Sequence, residues 1–181
     1  MTRKAKSAAK RGQLSDAQLC RLAQSQEGVV GAKLLTPDQV VTAGWVRLKC
    51  QFGCGGWGRC RTCPPYTPTP EQMRGVLDGY RRALLLHFSP EAEVRAVVVE
   101  LEREIFLRGA WKALALGAGP CQLCKNCVLE NGACLHPDQA RPAMEACGID
   151  VYSTAHNAGF PIEVVRDADD PQNYYGLVLV D

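Results

Sequence analysis

At 181 residues the chain has the length of one domain with a hydrophobic core and is too short for two comfortable ones. Its apolar and charged fractions, 46% and 22%, are those of an ordinary soluble globular protein and name no partner. The formal charge of +2 conceals an asymmetry: Arg3, Lys4, Lys6, Lys10 and Arg11 crowd the first eleven positions, and without them 16 basic residues face 19 acidic ones, a body of charge −3 that argues against a nucleic-acid binder.

Residues 1–14 read as a basic, disordered tail ahead of a single cysteine-rich metal-binding domain over 15–181. No apolar run approaches the ~20 residues that span a bilayer, and the N-terminus lacks the apolar core of a secretory signal. These features predict a cytoplasmic protein. In that reducing compartment ten cysteines point to metal rather than to disulfides.

In chain order, Ser15 and Gln18 have capping-box spacing and open a first helix that ends near Gly28. "DQVVTAGWVRLKC" is rich in β-branched residues and predicts a strand from Val40 to Lys49 that delivers Cys50. A Gly- and Pro-rich cysteine loop follows, and then Thr69, Pro70 and Gln72 start another helix. "ALLLHF" fits a buried strand. A long helix is expected from Glu91 to Leu116, stopped by Gly117 and Gly119 before the second cysteine loop. "PDQARPAMEACG" reads as a short helix ending at Gly148, "TAHNAG" as polar loop, and "FPIEVV" and "YYGLVLV" as a C-terminal hairpin. The fold class expected is α+β: a small mixed sheet with packed helices and two cysteine-rich metal-binding loops at one end.

Cys121, Cys124, Cys127 and Cys134 give C-x2-C-x2-C-x6-C. Three thiols in series at two-residue gaps wrap one compact centre, the pattern of a cubane iron–sulfur cluster, whereas zinc sites more often pair two distant C-x2-C knuckles. Cys50, Cys54, Cys60 and Cys63 form a second group, C-x3-C-x5-C-x2-C, whose glycines allow backbone N–H groups to point at sulfur. Arg59, Arg61 and Lys125 are available to offset cluster charge. Cys63-Pro64 resembles the Cys-Pro closing a ferredoxin run, in which a cysteine of one block ligates the other block's cluster, so crossed ligation is open here too. Cys147 is a further candidate ligand, and Cys20, on an apolar helix face, is a core residue. His136 is expected to hydrogen-bond near the ligands, His87 to end a strand, and His156 is a candidate for acid–base chemistry.

The stretches "CQFGCGGWGRCRTCPPYTPTPEQMR", "LGAGPCQLCKNC" and "CLHPDQARPAMEACGIDVYSTAHNAG" resemble, in order, the predicted metal-binding proteins grouped as domain of unknown function 2284. The resemblance spans about Cys50 to Gly159 and implies a small, soluble iron–sulfur protein, a class and not a reaction. It singles out Cys50, Cys54, Cys63, Cys121, Cys124, Cys127, Cys134 and Cys147. It also implies a non-cysteine residue where Cys60 stands, which favours Cys147 as the thiol completing the first site.

The leading expectation is single-electron transfer to a redox partner protein through two 4Fe-4S clusters. One alternative is an enzyme with an open iron corner, served by His156, Glu145 and Arg141. Another is a structural zinc module that uses Trp57 and Tyr66 for protein contacts.

Overall fold

The computed structural model describes residues 14–130 and 132–181. The expected basic tail lies outside the described residues up to position 13, and Leu14 already packs on the core. Helix α1 (Asp16–Gln24) opens with the capping box: Ser15 N donates to Gln18 Oε1 at 2.8 Å, and Gln18 N donates to Ser15 Oγ. A cap of this kind is worth about 1 kcal/mol. Strand β1 (Val29–Leu35), which periodicity missed, follows at once, and Gly28, at φ +77°, makes the turn into it.

The segment Val40–Lys49, expected as a strand, is corrected. Val40–Thr42 stay extended, with an isolated bridge from Thr42 to Ile149, but helix α2 then runs Gly44–Gly53. Val46 is buried, and the Arg47 guanidinium donates to Pro68 O at 2.8 Å and more weakly to Thr67 O and Ala146 O. These partners lie 20 to 99 residues away in sequence, so tertiary contacts override the local β-propensity. Helix α3 (Pro70–Leu77) has the expected Thr69–Gln72 capping box and proline start.

Strand β2 (Arg82–Phe88) matches the expected buried strand. Helix α4 is shorter than expected, Val94–Leu107; Gly109 takes φ +108°, and the chain re-enters the sheet as β3 (Leu114–Leu116). A single turn of 3-10 helix, Glu145–Cys147, stands where a longer helix was expected, capped by Gly148 at φ +76°. A Cβ there would sit 2.5 Å from Pro70 Cγ, so both backbone and space demand glycine. Helix α5 (Val151–Asn157) covers much of the stretch read as polar loop; Asp150 caps it, accepting from Ser153 N. Strand β4 (Tyr174–Val180) forms as expected but makes no hairpin with 160–165, where Pro161 lacks an N–H and Glu163 to Val165 face solvent.

The sheet order is β1-β2-β4-β3, and every pairing is antiparallel, so the α+β class holds while the expected mixed sheet is corrected. The strands alternate between two cores. Leu84, Leu86, Val178 and Val180 pack under α1 and α4 with Leu19, Val98 and Leu101. Leu85, Leu177 and Leu179 face α3, α5 and the 3-10 turn with Met73, Met144 and Cys147. Both cysteine loops leave from this scaffold, the first from the end of α2 and the second from the end of β3.

Candidate metal centre

The first loop is wound tightly by its own backbone. Gly58 N donates to Pro64 O at 2.8 Å, Arg59 N to Gly56 O at 3.1 Å and Cys63 N to Cys60 O at 3.0 Å. The second loop is pinned where it returns: Gly117 N donates to Pro142 O at 2.8 Å and Met144 N to Gly117 O at 3.0 Å. Beside this closure Arg141 makes a two-pronged pair with Glu102 of α4, at 2.7 and 2.6 Å, and Glu102 also accepts from Ala115 N at 2.6 Å.

Arg61 joins the loops. Its guanidinium donates to Val128 O at 2.5 Å, to Leu129 O at 3.0 Å and to Gly132 O. The side chain expected to balance cluster charge is thus occupied with carbonyls, and it is the Arg61 backbone N–H that reaches sulfur. Gly56 closes the other contact: a Cβ there would lie 3.5 Å from Pro120 Cβ, 3.6 Å from Cys54 Sγ and 3.0 Å from Cys63 Sγ. Its N–H donates to Cys54 Sγ at 3.4 Å, the amide-to-sulfur contact expected of these glycines.

Nine of the ten cysteines fall into two neighbouring sets. Cys50, Cys54 and Cys63 stand on the wall of a cleft of about 690 Å³, with Cys147 buried within electrostatic reach of Cys50. Cys121, Cys124, Cys127 and Cys134 surround a second, narrow cavity, and Cys60 of the first loop lies there with them. His136 also lines that cavity. Cys20 is half-buried against the α1–α4 core, away from both sets. His87 bonds Asn173 at 2.8 Å and stacks on Tyr175, and His156 is exposed on α5 beside Ile162 O; neither lines either of these two cavities.

The electrostatics show what the thiols lack. Burial first, then the nearby Cys60 and Cys54, pushes Cys63 up to about 12. Burial likewise pushes Cys147 to about 12, with Glu145 and Cys50 adding to it and Arg47 opposing. Cys50 and Cys121 also rise, chiefly through burial. Cys60 moves down: burial opposes ionisation, but hydrogen bonds from Thr62 and from Cys127 and the Cys121 backbone outweigh it. Thiols held up in this way become thiolates when a metal cation supplies the opposing charge. Burial also raises Glu145, on the cleft wall.

The donor set fits a thiophilic metal, since the narrow cavity has five thiols and an imidazole in its wall and no carboxylate. Among the described residues no three His, Cys, Asp or Glu side chains converge closely enough to hold a single ion. Two features escaped sequence reasoning. Arg47 near Cys147 was hidden because the spacing from Arg47 to Cys50 means one helical turn only once the segment is known to be helical, and the cleft is made from segments far apart in sequence.

Fold and site together define a cysteine-rich α+β protein with two adjoining thiol sets. The model of the family described as predicted metal-binding protein, DUF2284, matches residues 33–180, and the chain belongs to that family. Comparison with curated proteins and with solved structures gives no match.

Proposed function

We propose that this protein holds two 4Fe-4S clusters and passes single electrons to a redox partner protein. The observation that carries the reading is the partition of nine cysteines into two adjoining sets, bridged by the turn in which Cys63 N bonds Cys60 O. Cys50, Cys54, Cys63 and Cys147 supply four sulfurs to one centre. The other draws on Cys121, Cys124, Cys127 and Cys134, with Cys60 as a fifth sulfur against the four corners of a cube. The C-x2-C-x2-C run supports iron–sulfur over zinc, and the open position of Cys54 supports an exit for electrons at the surface. The clusters would supply one-electron redox chemistry; the chain supplies thiolates, amide hydrogen bonds and a rigid scaffold.

We take residues 15–181 as one metal-binding unit and its compartment as the reducing cytoplasm, which suits ten unpaired thiols. Among the described residues no helix is long and apolar enough to cross a membrane. The cleft that reaches Cys54 favours a second reading, an enzyme whose open iron corner meets a substrate there.

Anaerobic purification with iron, sulfide and zinc analysis and electron paramagnetic resonance tests the proposal. A brown protein with about eight irons per chain and a signal on dithionite reduction is expected. A colourless protein with stoichiometric zinc overturns it in favour of the structural zinc module. Substrate turnover that depends on iron would select the enzyme reading.

A further inference from the structure

Helix α2 carries an apolar stripe on its outer side. Val46 is buried and Arg47 donates inward, whereas Trp45, Leu48 and Phe52, three and four residues apart and so on one face, are 49%, 56% and 81% exposed. Trp45 also lines the cleft; Leu48 and Phe52 do not. The open surface runs on past the helix, since Gln51 to Gly55 are all exposed and Cys54 lies among them. Large apolar groups left open side by side mark an interaction surface.

Size and charge select the occupant. At those exposures the stripe leaves on the order of 400 Å² of apolar surface open, taking large side chains at about 200 Å² each. A stable dimer needs about 800 Å² from each partner, while weak redox encounters bury less than about 1,200 Å² in total. The stripe therefore fits a transient partner and falls short of a permanent second copy. The chain around it is basic. Between Asp38 and Glu71 the sequence holds Arg47, Lys49, Arg59 and Arg61 and no acid, whereas the rest of the body has 12 basic residues, the 16 less these four, against 19 acidic ones. Arg47 and Arg61 are tied to carbonyls, which leaves Lys49 and Arg59 exposed to a partner. The acids of the neighbouring cleft, Glu145, Asp150 and Glu163, come from later segments. Positive charge at the edge of an apolar patch steers an acidic partner onto it.

We infer that the outer face of α2 and the turn at Cys54 form the docking surface for a small acidic one-electron carrier protein, with Leu48 and Phe52 at the centre of the contact and Lys49 and Arg59 at its rim. The inference rests on the cluster reading for its electron and adds to it the place and the charge of the partner. One electron leaves the reduced centre held by Cys54 and reduces the carrier's own centre, and no bond is made or broken.

The test uses the full-length protein, with iron measured on the same sample and an acidic plant-type ferredoxin as the probe. Binding is read as line broadening of isotope-labelled ferredoxin, and stopped-flow mixing reads electron transfer in whichever direction runs downhill, with methyl viologen as the small-molecule control. Weak, saturable binding that salt weakens further is expected. Phe52→Ser should slow the ferredoxin reaction about tenfold, the scale of one apolar side chain left unburied, and leave the viologen reaction alone. Leu48→Ser should act in the same direction, and it decides the matter where Phe52→Ser loses iron. Lys49→Glu should reduce the salt dependence. No saturable binding, or a ferredoxin reaction untouched by both serine variants, overturns the inference. So does a stable dimer that Phe52→Ser dissociates, because the stripe then belongs to a second copy. A chain without iron sinks the cluster proposal alone, since ferredoxin binding and its loss in Phe52→Ser are still read; an iron-loaded chain that binds no ferredoxin sinks this one alone.

Discussion

The backbone N–H of Arg61 points at the sulfur of Cys127, 3.5 Å away and 66 residues on in sequence, so the two cysteine loops meet through an amide-to-thiol contact. The same residue's guanidinium ties down Val128, Leu129 and Gly132.

Replacing Arg61 by alanine leaves three carbonyls without their donor while the Cys127 contact, made by backbone, survives. We expect a loss of about 2 kcal/mol in stability, in line with hydrogen bonds to a charged group. Metal should also leave faster when a chelator is added. Urea unfolding and the time course of metal loss measure both, and Arg61→Lys should restore little because one ammonium cannot span three acceptors.

Gly56→Ala puts a methyl 3.0 Å from Cys63 Sγ. The expected result is loss of metal from the proposed centre of Cys50, Cys54, Cys63 and Cys147, about half the total, with the circular dichroism of the fold unchanged. Iron analysis reads the first and spectroscopy the second. Full metal content in this variant would remove Cys63 from the ligand set.

Glu102→Ala strands Arg141, whose side chain is 17% exposed, and frees Ala115 N. Breaking such a half-buried pair should cost about 3 kcal/mol. Equilibrium unfolding of Glu102→Ala, Arg141→Ala and the double variant isolates the coupling. A double variant about as stable as either single one is expected.

The metal-free protein should lose stability in alkali. Cys63 and Cys147 have folded values of about 12 against an ordinary thiol value of 9.0. A group raised by folding holds its proton more tightly in the native state, so its contribution is fully present below about pH 9 and is lost as pH rises towards 12. Each thiol removes at most about 1.4 kcal/mol per pH unit in that window. Unfolding of the metal-free chain at pH 8 and pH 10 checks the sign, and Cys147→Ser should flatten the slope.

What the residue order determined by itself was local. The caps at Ser15 and Thr69 need partners only three residues away, the run of β2 is apolar on both faces, and the two-residue gaps of Cys121, Cys124 and Cys127 put those cysteines on the wall of one cavity. Family membership was legible for the same reason, since motifs are contiguous. The tertiary structure decided what depends on distant partners. Val40–Lys49 has β-forming residues yet turns helical from Gly44, because Arg47 is anchored by Thr67, Pro68 and Ala146. Cys60 stands with the second loop's thiols although its neighbours Cys54 and Cys63 do not, because the turn from Cys60 to Cys63 faces them to opposite cavities. The Glu145 cleft exists only where the end of the sheet, α2 and α5 converge, a meeting of segments that hydrophobic pattern alone does not encode.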